Sequence, residues 1–333
     1  MDGALTISRT HAAEPRYAEL HCVSNFSFLQ GGSRPEELVA RAAALGYEAI
    51  ALTDRATLSG MVRAHGAAKE AGIRLVIGAQ LEPIDASPVV VWAAEASGYS
   101  NLCQLLTRGY AQAAEHAGQP AARQAADECA DECAVVPQAG GCRLTLADIA
   151  HFASGLLAGV PLTGCGSRET AGPFDADRLS VAAAELGRLK DIFADRLWGL
   201  AEVALAGDDA DRLAWFGRVG RRAAVPVAAA GDVRYHERSR LPLFDVLTAV
   251  RQGRTVEAIR GQLLPNGERH LHGRRRIAER FAALPGIVER AAEIAARCTF
   301  SLDELRYEYP DATVPPGRTT AEQLAHLAWK GAH

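Results

Sequence analysis

No apolar run in this 333-residue sequence reaches the roughly 18 residues that a membrane-spanning helix needs. The opening MDGALTISRTHAAEPR lacks the apolar core of a secretory signal, so a cytoplasmic protein without membrane partners is expected. Lysine is nearly absent: only three of the 36 basic residues are Lys, which we read as a coding bias without mechanistic content. The seven cysteines are an odd number and widely scattered, which suits a reducing compartment better than a disulfide framework. There is no P-loop, dinucleotide fingerprint or Ser-His-Asp elbow. The GCGS of residues 164–167 resembles a nucleophile turn, but no general base stands beside it in sequence. The net charge of −4 gives no general attraction to nucleic acid, although residues 231–300 carry 13 Arg against eight Asp and Glu.

What is present is an alternation of strands and helices. Residues 17–23 (YAELHCV) have the period of a strand and run into a polar loop. Gly31-Gly32, Ser33 as N-cap, Pro35 and Glu36 then open a helix. Short apolar strands follow at 49–53, 75–78, 88–93, 155–160, 198–205 and 225–230, with helical segments between most of them, which argues for parallel βαβ units. Beyond Ser239 the strands stop and helical periodicity takes over. Residues 1–16 read as a flexible leader and 111–142 as an inserted surface loop. Cys129 and Cys133 in that loop invite a zinc hypothesis, but four ligands at a recognised spacing are missing.

The stretch ELHCVSNFSFLQGGSRPEELVARAAALGYEAIALTDRATLSGMVRAHGAAKEAGIRLVIGAQ resembles the N-terminal polymerase-and-histidinol-phosphatase (PHP) domain of bacterial DNA polymerase III alpha-type subunits, in the error-prone branch. The resemblance implies an α/β fold, a distorted (β/α)7 barrel over residues 17–238, followed over 239–333 by an all-helical connector leading to a polymerase palm that is absent. It implies DNA as partner through the full-length polymerase, together with other mutagenesis-complex proteins and the sliding clamp. Magnesium would belong to the absent polymerase domain.

Active members of the family hold up to three metal ions at the strand ends, and phosphoester hydrolysis needs several converging ligands. The matching positions here keep His21, Asp54, Cys165 and Asp232 but replace others by Val23, Gln30, Arg55, Gln80 and Arg234. Glu82 and His236 lie nearby at shifted positions. Two arginines entering such a site would repel metal, or would pair with Asp54 and Asp232. A fossil metal centre is therefore expected, with no cofactor for this chain and no polymerase activity of its own. The alternative is a metal-dependent phosphoesterase or 3′-5′ exonuclease retaining zinc or manganese on His21, Cys165, Asp232 and Glu82 or His236. Arg274, Arg275 and Arg276 are candidates for nucleic-acid contact, against the ordinary reading of a solvated helix start.

Overall fold

The computed structural model describes residues 14–117, 141–163, 174, 176–306, 314–315 and 317–332. The Cys129–Cys133 segment and Cys165 lie outside them. Seven strands form one sheet in sequence order: β1 (Ala18–Glu19), β2 (Ala49–Leu52), β3 (Arg74–Leu81), β4 (Val89–Ala93), β5 (Leu156–Pro161), β6 (Leu197–Glu202) and β7 (Val227–Ala230). Helices α1 (Pro35–Ala44), α2 (Met61–Ala71), α3 (Ala96–Ala117), α4 (Leu146–His151), α5 (Ala176–Phe193) and α6 (Asp209–Ala223) connect them. The sheet curls into a barrel. Its first and last strands meet at the Cys22–Val233 bridge, where Val23 N donates to Val233 O at 2.9 Å and Val233 N to His21 O at 2.9 Å.

An all-parallel sheet does not hold. Strand β4 runs antiparallel to both β3 and β5. Only residues 82–88 separate β3 from β4, too few for a parallel crossover, which takes a dozen or more. The indole of Trp92 on β4 crosses the barrel interior, donating to Leu20 O at 2.9 Å. Gly159 on β5 makes the room: a β-carbon there would stand 2.4 Å from the Trp92 ring.

Two local expectations are corrected. Helix α1 is capped at Arg34, whose amide donates to Glu37 Oε2 at 2.8 Å, and not at Ser33. The Ser33 hydroxyl is committed to His236 instead, accepting its amide at 2.9 Å and meeting its Nδ1 at 2.8 Å. Residues 111–117, expected in the inserted loop, continue α3. The loop before α1 is equally constrained, because a β-carbon on Gly31 would lie 2.1 Å from Ser24 O.

Beyond Ala230 the described residues hold helices and no strand: α7 (Leu241–Arg251), α8 (Arg274–Arg280), α9 (Ile287–Arg297) and α10 (Thr320–Ala332). The apolar face of α9, with Ile287, Val288, Ala291, Ala292 and Ile294, is buried and lies against β7 and β1, covering the seam where the barrel closes. Residues up to Ser301 form one compact unit and Leu302–His333 a second. No helix among the described residues is long and apolar enough to cross a membrane.

Candidate functional site at the barrel mouth

Every parallel strand but β5 ends on a polar side chain at the same rim. His21 follows β1, Asp54 follows β2, Gln80 lies near the end of β3, Glu202 closes β6 and Asp232 follows β7. This is the rim where barrels of alternating strands and helices carry their chemistry.

His21 is fully engaged. Its Nδ1 meets Glu202 Oε1 at 2.6 Å and its Nε2 meets Gln80 Oε1 at 3.0 Å. The Gln80 carboxamide is oriented by its own donation to Glu82 Oε1 at 3.2 Å, and Glu82 pairs with Arg55 at 2.7 Å. Thr163 donates to the other Glu202 oxygen at 3.2 Å. A ring with an acceptor at each nitrogen is set up as an imidazolium. Burial opposes that charge, but the Glu202 carboxylate and its hydrogen bond outweigh burial and raise the His21 pKa.

A raised histidine pKa fixes the sign of a pH effect. The stabilisation is fully present below the unfolded value of about 6.5 and is lost as pH rises through the higher folded value. The denaturant midpoint is therefore expected to fall as pH rises above about 6.5, and Glu202→Gln to remove this component of the slope. Parallel slopes in the two proteins would contradict it.

Asp54 does not pair with Arg55. Its carboxylate accepts the Ser24 amide and the Ser24 and Ser27 hydroxyls, each at 2.7 Å, and burial pushes its carboxyl upward against those bonds. Ser27 Oγ also accepts the Arg55 amide at 2.9 Å, while the Arg55 side chain turns to Glu82. Asp232 does pair with Arg234, at 2.6 Å and off the hydrogen-bond direction, and accepts a hydrogen bond from Arg269 at 2.7 Å. Burial alone would raise its pKa, but Arg234 and Arg269 hold it down at about 2. Its backbone takes the left-handed conformation, φ 44°, which Asp tolerates better than most residues. Val23 is buried hydrocarbon, and Gln30 buries a carboxamide oxygen with no hydrogen-bond partner among the described residues.

Glu202 and Arg269 complete these two clusters, although the reading of the sequence did not single them out. A carboxylate ending the apolar run LWGLAE was the available signal for Glu202; Arg269 had none. Away from the rim, each arginine of the 274–276 run has a carboxylate partner: Arg274 with Glu14, Arg275 with Glu279 and Arg276 with Glu268.

A divalent metal does not fit the described residues. Both nitrogens of His21 face acceptors, both oxygens of Asp232 face guanidinium groups, and Asp54 is taken up by serines. Among the described residues no group of three or more His, Cys, Asp or Glu is arranged to hold an ion.

Comparison with known proteins gives this geometry a lineage. An error-prone DNA polymerase of Rhodopirellula baltica is 37% identical over 327 residues, covering 97% of this chain and 26% of that protein. One from Dechloromonas aromatica is 39% identical over 318 residues, covering 95% of this chain and 27% of that protein. The chain thus spans about a quarter of the length of the curated relatives it matches. A solved structure from Bifidobacterium adolescentis, assigned as a metal-dependent phosphoesterase, matches with TM-score 0.44 and 16% identity over 66% of this chain and 88% of that one. The family model for the PHP domain matches residues 19–196, and the chain belongs to that family.

Proposed function

We propose that this chain is the N-terminal PHP portion of an error-prone polymerase of the DNA polymerase III alpha type, which copies damaged DNA and takes part in damage-induced mutagenesis. Its relatives of that name support the reading. In it, residues 17–238 form the barrel and residues 239–333 the connector toward the palm, and DNA, the sliding clamp and other mutagenesis proteins are partners of the whole enzyme. The barrel itself is a non-catalytic brace. One observation carries this: the two ring nitrogens of His21 are both committed to protein acceptors, so the retained histidine has no lone pair to offer a metal.

The stabilising role once open to metal ions falls to ion pairs of Arg55 with Glu82 and of Arg234 and Arg269 with Asp232. Zinc or manganese added to metal-stripped protein is expected to leave the melting temperature unchanged, and no metal-dependent 3′-5′ exonuclease or phosphatase activity should appear. A rise of several degrees, or a nuclease activity lost in His21→Ala and Asp232→Ala, would establish the phosphoesterase reading instead.

A further inference from the structure

A groove opens at the start of β7, at the end of that strand away from Asp232. Gly217, Gly220 and Ala224, at the C-terminal end of α6, form one wall, and Val225, Pro226 and Val227 form the other. Its volume is about 300 Å³, the lower end of the range for ligand sites, which suits one or two side chains better than a whole cofactor. The glycines make the room. A β-carbon on Gly220 would stand 2.6 Å from the Val227 side chain, so α6 lies close against β7, and one on Gly217 would reach to 3.1 Å from the tip of Leu284.

The lip of this groove is cationic and unpaired. Arg221 lines it, with Nη1 3.4 Å from the place that a β-carbon on Gly217 would take. Lys190 of α5 donates to Ala224 O at 2.9 Å, and Arg290 of α9 donates to Val227 O, so both charges stand at lining residues. Residues 216–227 (FGRVGRRAAVPV) add Arg218 and Arg222 and hold no carboxylate. Asp191 and Glu289, next in sequence to Lys190 and Arg290, make no ion pair with them among the described residues. None of these cations has an ion-pair partner among the described residues, whereas Arg55, Arg276 and Arg280 each have a carboxylate. The dipole of α6 favours cations at its C-terminus and accounts for part of the cluster. It leaves Arg221 and Arg222 exposed, with donors free for an incoming acceptor.

An apolar floor with an unpaired cationic lip is complementary to a peptide that carries aliphatic side chains between acidic ones. A nucleic-acid strand matches it less well, because no aromatic side chain lines the groove to stack on a base and phosphates gain nothing from an apolar floor. We infer that this groove is a docking site for an acidic segment of a partner protein, anchored by an aliphatic side chain in the groove and held by Arg221, with Lys190 and Arg290 beside it. The site lies apart from His21 and Asp232, so it does not depend on whether a metal binds at the rim.

The test uses the whole chain and fluorescein-labelled peptides followed by fluorescence anisotropy. One peptide has a Leu-Leu core between runs of aspartate, a second has Ala-Ala as its core, and a third has asparagine in place of aspartate. The first should bind, and the other two should bind about fivefold more weakly or worse. Arg221→Gln should weaken the first peptide about fivefold, the upper end for an exposed ion pair, while Arg275→Gln, elsewhere on the surface, should leave it unchanged. Gly217→Leu fills the groove and should abolish binding; leucine is a better helix former than glycine, so this variant should keep the wild-type melting temperature. No binding of the first peptide overturns the inference, as does equal binding of the leucine and alanine peptides or full binding by Gly217→Leu. Equal losses in Arg221→Gln and Arg275→Gln overturn it in favour of diffuse charge. A duplex or single-stranded oligodeoxynucleotide that binds more tightly than the first peptide, and is weakened by Arg221→Gln, gives the lip to a phosphate backbone and overturns it too. So does a dimer seen by sedimentation and lost in Gly217→Leu, which would give the groove to a second copy of the chain.

Discussion

Glu19→Ala is expected to lower the unfolding free energy by about 4 kcal/mol or more. The carboxylate is buried inside the first turn of the barrel seam. Its Oε1 accepts three backbone amides, from Leu20 at 3.1 Å, His21 at 3.0 Å and Gly231 at 2.9 Å, and its Oε2 accepts the Tyr17 hydroxyl at 2.8 Å. These bonds explain why β1 stops after two residues. At Leu20 and His21 the side chain takes over the amides that a strand partner would bind, and the chain moves on to pair with Val233. Truncation orphans those donors where water does not reach, at roughly 1–3 kcal/mol each before relaxation. Glu19→Gln separates hydrogen bonding from mere charge. Burial already raises the Glu19 pKa, and a carboxamide can keep its oxygen toward the amides and its NH2 toward Tyr17. The glutamine variant should therefore lose about 1–2 kcal/mol, well short of the alanine loss. Urea titrations of the three proteins decide it, and equal losses in the two variants would mean that charge matters most.

The ends of β2 and β7 were legible because each is an apolar run that stops short of an aspartate: Leu52-Thr53-Asp54 and Ala229-Ala230-Gly231-Asp232 are both of this kind. How those ends pair was not legible. Asp54 and Arg55 are neighbours in sequence, but their side chains leave a strand end in opposite directions, so one meets Ser24 and Ser27 and the other Glu82. The partner of His21 lies 181 residues away, at the end of a strand whose reading as 198–205 carried it past its terminal glutamate. Arg269 reaches Asp232 from an irregular segment between α7 and α8, which has no periodicity to place it. The antiparallel β4 is a different case. Its short connection to β3 is a sequence signal against a parallel pair that the strand-helix rhythm around it conceals.

Asp232→Asn should cost about 3 kcal/mol or more, although it changes almost no volume. Asparagine accepts the left-handed backbone that Asp232 adopts, so strain is not the source of the loss. What changes is the charge: Arg234 and Arg269 lose the carboxylate they share, in a place where neither is well hydrated. Adding Arg234→Gln to Asp232→Asn removes one of the stranded cations and should restore part of the stability, the non-additivity expected of a coupled group. The pH dependence follows the same logic with the opposite sign to that of His21. A carboxyl held at about 2 stabilises the fold fully above its unfolded value of about 3.8 and loses that stabilisation as pH falls toward 2, roughly 2 kcal/mol in all. Acid titration of the midpoint should show this step in the wild-type chain and lack it in Asp232→Asn. If the asparagine variant matches the wild type at neutral pH, the arginine pairs are not what holds the rim together.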